Sequence, residues 1–100
     1  MSAHLLTDIR SVTQALAHVS AQGRLFRVTF VTRSTHTIRT MVCRVGVVKG
    51  LTGVGLRFDP RDYDLRTVWD VQRDGYRMIP LDGVVEIVGR GMVYKKGGVR

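Results

Sequence analysis

Apolar and polar residues alternate in short runs along most of this chain, and turn-forming residues separate the runs. The clearest set spans residues 65–88, LRTVWDVQRDGYRMIPLDGVVEIV. Residues 66–72 and 76–81 are rich in β-branched and aromatic side chains. Arg73-Asp74-Gly75 between them is a turn with glycine where φ can be positive. Asp82-Gly83 is a second turn, and residues 84–88 form a third strand. This pattern predicts a three-stranded meander on which the rest of the chain packs. Thr67, Trp69 and Val71 alternate against Arg66, Val68, Asp70 and Gln72. Trp69, the largest anchor available, is expected in the core; the alternative is a platform on which a base stacks, shared with Tyr76. Arg77, Ile79 and Leu81 face opposite to Tyr76, Met78 and Pro80. Pro80 removes a ladder donor, so its strand belongs at an edge or a bulge.

Upstream, the period changes. Leu5, Ile9, Val12, Leu16 and Val19 recur at steps of four and three, which predicts a helix over residues 4–22. Ser2 is its expected N-cap and Gly23 its C′ residue. The narrow stripe either covers a face or an open end of the sheet, or pairs with a partner or a second copy. Residues 25–33, LFRVTFVTR, form a strand with Phe26, Val28 and Phe30 on one face and Arg27, Thr29, Val31 and Arg33 on the other. Ser34-Thr35-His36 turns the chain, and residues 37–44 return antiparallel. Met41 and Cys43 are expected inward, which leaves Arg39 as the misfit on that face. Residues 45–56 carry four glycines and read as a single helical turn followed by a bend. Residues 56–58 make a short strand before Asp59-Pro60. Residues 84–88, the Gly89-Arg90-Gly91 turn and residues 92–95 close a last hairpin, and residues 97–100 form a basic tail. One helix and then five to six short strands is the pattern of a small antiparallel barrel.

Charge adds a second layer. The 100 residues carry a net charge of +8, with arginine outnumbering lysine thirteen to three. No acidic residue stands between Ile9 and Phe58, a span holding Arg10, Arg24, Arg27, Arg33, Arg39, Arg44, Lys49 and Arg57. Seven of the eight acidic residues fall from Asp59 to Glu86. Arginine presents a planar fork to phosphates and stacks on rings, so a basic half of this composition makes a polyanion the expected partner.

Catalytic and metal chemistry find little footing. The phosphate-loop order of Gly and Lys is absent, and Gly53-Val54-Gly55 lacks the dinucleotide spacing. Asp59, Asp62 and Asp64 match no calcium loop. On a helix, His4 and His18 lie nearly four turns apart, too far to share a metal. His36 and Cys43 lie about 20 Å apart along one strand at ~3.3 Å per residue, so they form no nucleophile pair. No enzyme activity, metal or cofactor is expected. A lone cysteine fits a reducing compartment. No apolar run nears the ~20 residues that span a membrane, and no leader pattern opens the chain. The expected location is the cytoplasm.

The runs Met41-Val42-Cys43-Arg44-Val45-Gly46-Val47, Gly53-Val54-Gly55-Leu56-Arg57-Phe58-Asp59-Pro60, Val68-Trp69-Asp70-Val71-Gln72 and Gly75-Tyr76-Arg77-Met78-Ile79-Pro80-Leu81-Asp82 resemble a family of small phage and bacterial WYL-like proteins with an Sm-like, SH3-type barrel. The likeness covers residues 26–94 and not the helix. The Trp-Tyr-Leu tripeptide is missing; Asp64-Leu65-Arg66 stands in its place. Pro80 and Gly83 stand where larger WYL domains carry ligand-pocket arginines. The resemblance implies a nucleic-acid-linked or regulatory domain of the kind phages encode, acting in the host cytoplasm.

Together these readings predict a mainly β protein: a helix in residues 1–23 on or beside an Sm-like barrel in residues 24–96. The expected function is non-enzymatic binding of DNA or RNA. Arg24, Arg27, Arg33, Arg39, Arg44, Lys49 and Arg77 would contact phosphates, with Trp69 or Tyr76 stacking on a base. The alternative is a module that binds and modulates a host protein, or assembles with itself, through Leu5, Ile9, Val12, Leu16 and Val19 or through a sheet edge.

Overall fold

The computed structural model describes residues 3–45 and 64–96. In chain order the described elements are β1 (Ala3–Leu6), α1 (Ile9–Val19), β2 (Phe26–Val31), β3 (Ile38–Arg44), β4 (Leu65–Asp70), β5 (Gly75–Pro80), β6 (Val84–Gly89) and β7 (Met92–Lys96). Short 3-10 turns lie at Ala21–Gly23 and Leu81–Gly83. The expectations for residues 46–58, including Lys49, fall outside the described residues.

The strands form one sheet in the order β1-β7-β6-β2-β3-β4-β5. All described pairs are antiparallel except β1 with β7, which run parallel from Ala3 opposite Val93 to Leu6 opposite Lys96. The mainly β architecture agrees with the sequence pattern. Among the described residues, however, there are seven strands rather than five or six, one pair is parallel, and the sheet does not close. β1 and β5 are its edges, and β5 carries Pro80 there.

The first correction concerns residues 3–6. They form a strand and not the start of a helix, because their backbone pairs with β7. The helix begins instead at Asp8, in extended conformation, with a reciprocal cap. The Ser11 N–H donates to Asp8 Oδ1 at 2.8 Å, and the Asp8 N–H donates to Ser11 Oγ at 3.0 Å. These bonds satisfy amides that the first turn leaves without partners. The helix also ends earlier than expected, with Ser20 as C-cap. Gln22 and Gly23 both take positive φ, and Arg90 Nη1 donates to the His18 carbonyl at 3.2 Å, where a helix C-terminus favours a cation.

α1 lays Val12, Ala15, Leu16 and Val19 on the sheet, all buried. β2 supplies Phe26, Val28 and Phe30, β3 supplies Met41 and Cys43, and Leu6, Val68, Ile79, Val84 and Ile87 complete the core. The inward facing read for β2 and β3 is therefore the one observed. Each buried aliphatic side chain contributes about 1.5–3 kcal/mol of transfer free energy. The expected docking stripe is spent in this way: Val12, Leu16 and Val19 are core, Ile9 is half-buried, and only Leu5, on β1, is exposed. Helix and sheet touch closely at Gly89. A Cβ added there would lie 2.8 Å from the Val19 Cβ and 3.0 Å from the Phe26 Cβ. β6 also bulges against β2, since Thr29 pairs with Glu86 and Phe30 with Val84. The extra residue, Val85, bends the sheet.

Candidate functional site

The basic side chains divide into two groups, set by strand register and strand length. Arg27 pairs with Val42, and Arg44 pairs with Trp69, which in turn pairs with Tyr76. Directly paired residues share a face, so Arg44, Trp69 and Tyr76 form a row on the face away from Phe26 and Val28. Arg27 lies on that same face. Arg24 is exposed just before β2.

Trp69 is thus not the core anchor expected. It is half-buried on the outer face, with its ring edge-on to Tyr76 at 4.9 Å and 85°. Val68 and Asp70 occupy the inward positions instead. The pairing of Cys43 with Asp70 decides this, because Cys43 faces inward and its partner must follow.

The second group surrounds a cup where the ends of the β2–β3 and β4–β5 hairpins part. It is lined mainly from the inner side, with Thr40 and Met78 reaching it from the outer face. β2 ends at Val31, so Arg33 does not continue the Arg27 face; it turns to the cup rim. Arg39 pairs with Phe30 and takes the inward direction beyond the packed core. Arg77 pairs with buried Val68 and faces the same side. Arg73 arrives from the β4–β5 turn. Together Arg33, Arg39, Arg73 and Arg77 line a cavity of about 330 Å³, with Phe30, Met41 and Met78 as its apolar lining. Thr32, Ser34, Thr40 and Gln72 add hydroxyl and amide groups.

The cup exists because two hairpin ends part. β3 and β4 pair only at Cys43–Asp70 and Arg44–Trp69, with one further bond from the Val71 N–H to the Val42 carbonyl at 3.0 Å. Beyond that point β4 turns away, and the first half of β3 has no described β4 neighbour. Asp70 makes the turn. Its Oδ1 accepts from the Gln72 N–H at 3.0 Å and the Arg73 N–H at 3.1 Å, an Asx turn that ends the strand. Its Oδ2 lies 3.9 Å from Arg73 Nε. The opposite lip is fixed by hydroxyls. Thr32 Oγ1 lies 2.8 Å from Thr35 Oγ1 and 3.1 Å from Thr37 Oγ1, and accepts from the Thr37 N–H at 3.1 Å. His36 takes positive φ to close this hairpin. Arg33 Nη2 bonds to Asp82 Oδ1 at 3.1 Å across the outer rim.

No protein-family model matches the chain, and no curated protein or solved structure matches it.

The structure therefore gathers Arg33, Arg39 and Arg77 from the expected set, and leaves Arg24, Arg27 and Arg44 elsewhere. Two cup residues are not evident from the sequence pattern. Arg73 is visible there only as part of a turn, and Asp70 only as a polar position in a strand. Asp70 also bears on Cys43. Burial, with the neighbouring Asp70 charge second, pushes the Cys43 thiol from its ordinary 9.0 up to about 12. His4 and His18, expected far apart, both reach Tyr94, at 5.1 Å and 6.4 Å between ring centres. β1 rather than a helix carries His4, and this brings it there. Among the described residues no group of His, Cys, Asp and Glu is placed to hold a metal ion, and no helix is long and apolar enough to cross a membrane.

Proposed function

We propose that this protein is a non-enzymatic nucleic-acid-binding module with a regulatory role. The observation that carries the reading is the convergence, among the described residues, of four arginines on one cup against a single lining carboxylate whose oxygens are engaged with its own turn. Arg33 is paired with Asp82 and Arg73 with Asp70, so four arginines against these two carboxylates leave a net positive charge at the cup that a polyanion complements. Guanidinium forks match phosphate oxygens in pairs. Exposed Arg24, Arg27 and Arg44 extend the positive surface beyond the cup.

The finer fold class belongs to the same proposal. β2 to β6 are five consecutive described strands, the last lies beside the first, and a 3-10 turn joins the fourth to the fifth. That winding supports an SH3/Sm-type unit inside the wider sheet, with β7 and β1 added at one side. The likeness to WYL-like phage and bacterial proteins, and a cytoplasmic site of action, rest on the sequence runs quoted above.

The test is fluorescence anisotropy with labelled single-stranded DNA, duplex DNA and RNA over a salt series. The expected result is affinity that falls linearly in log–log form. The Arg39→Gln/Arg77→Gln double variant should weaken binding and flatten the slope by about 1.4 on a single strand, roughly 0.7 for each phosphate no longer neutralised. Absence of binding at low salt would refute the reading. An interaction with a host protein would then be sought at the β1 or β5 edge, because the helix stripe is buried.

A further inference from the structure

We infer that the arginine cup receives one unstacked nucleotide of a single strand, so that the protein discriminates against duplex. This inference rests on the nucleic-acid reading and narrows it. Three observations carry it.

The first is shape. A flat basic face suits a duplex, whose phosphates lie on its outside. The arginines here instead ring a depression of about 330 Å³, at the small end of the sizes that hold small ligands. A paired base in a stacked duplex cannot enter it without being flipped out, at a cost of a few kcal/mol.

The second is lining. The cavity wall is apolar where the core reaches it, through the edges of buried Phe30 and Met41 and through half-buried Met78. Guanidinium planes and apolar side chains are the surfaces on which unpaired bases stack. Ser34 and Gln72 at the rim can both donate to and accept from a base edge.

The third is rigidity. The Asx turn at Asp70 and the threonine network at Thr32 fix both lips before any ligand arrives. Preorganisation lowers the ordering cost of binding a flexible strand.

The experiment compares a short labelled oligothymidylate with a duplex of equal length at matched salt, then adds competitors. The expected result is a preference for the single strand on the order of tenfold, as one stacked base supplies. Thymidine 5′-monophosphate should displace the strand better than either thymidine or inorganic phosphate alone. Arg39→Gln/Arg77→Gln should abolish the preference, whereas Arg27→Gln, on the other face, should lower affinity for both forms alike. Both arginines of the double variant are exposed, so it should fold as the parent does. If duplex binds as tightly as single strand with a steep salt slope, the cup assignment is overturned and general nucleic-acid binding stands. If neither polymer binds, both fall together.

Discussion

Asp70 is the residue through which the shape and the charge of the cup can be separated. Its side chain is buried, and Oδ1 holds the Gln72 and Arg73 amides at 3.0 and 3.1 Å. Bonds to a charged acceptor contribute about 1.5–3 kcal/mol each, and neutral ones roughly half as much. Asp70→Asn keeps an acceptor oxygen in place and loses the charge, at a cost of about 1–2 kcal/mol. Asp70→Ala loses the acceptor altogether. Gln72 and Arg73 are exposed, so water replaces part of the loss, and the cost is about 2–4 kcal/mol. For a domain of this size each kcal/mol lowers Tm by about 4–8 °C, so circular dichroism melts should rank parent, Asn and Ala in that order. Binding should run the other way. Asn removes the carboxylate that lines the cup among the described residues. Its partner Arg73, 3.9 Å away, is exposed, and pairs of that kind interact by about 0.2–1 kcal/mol, so affinity for a single strand should rise about 1.5- to 5-fold. The salt slope should not change, since the same phosphates are neutralised in both proteins. Measured well below the lower midpoint, weaker binding by Asp70→Asn would refute the view of Asp70 as a turn anchor and countercharge. An unchanged melting point for Asp70→Ala would refute the Asx turn as the element that shapes the cup.

Two further outcomes test the frame around the site. Gly89→Ala places a methyl 2.8 Å from the Val19 Cβ, where neither backbone can yield easily, and should cost about 1–3 kcal/mol while binding at low temperature stays as in the parent; an unaltered melt would show that α1 does not press on β6 there. The Cys43 thiol is raised to about 12 in the fold against 9.0 ordinarily, so its contribution to stability is complete below pH 9 and is lost as pH rises towards 12. Native chain should therefore resist thiol reagents at pH 8 until denaturant is added, and Cys43→Ala should show a shallower alkaline loss of stability; rapid reaction of the native thiol would contradict the burial.

The elements legible in the sequence are those whose signal is local. β2 and β3 show their facing through Phe26, Val28, Phe30, Met41 and Cys43. The last hairpin shows its turn, in which Arg90 and Gly91 both take positive φ. Pro80 announces an edge. What stays hidden depends on distant partners. Residues 3–6 pair with residues 93–96, and Leu5 falls in step with the helix stripe by coincidence, so periodicity alone assigns them to the helix. Asp8 with Ser11 three residues later is the local signal for the true start. Size alone places Trp69 inward, but the Cys43–Asp70 register sends it outward, and no local pattern fixes that register.

The site follows the same logic, and its most informative residue is the apparent error. Arg39 is the one polar residue on an otherwise apolar face of β3, a conflict between pattern and chemistry. Such conflicts concentrate where function overrides packing. Here the conflict is real in space: Arg39 stands inward opposite Phe30, just where β4 has already turned away at Asp70, so the guanidinium faces a cavity and not the core. Were the ladder to run on past the Val71–Val42 bond, Gln72 would lie opposite Met41 and narrow the space. A short β3–β4 ladder, an aspartate that ends it, and an arginine left facing the gap are thus one device. Folding supplies the first two from backbone hydrogen bonds, and the third gives the gap its charge.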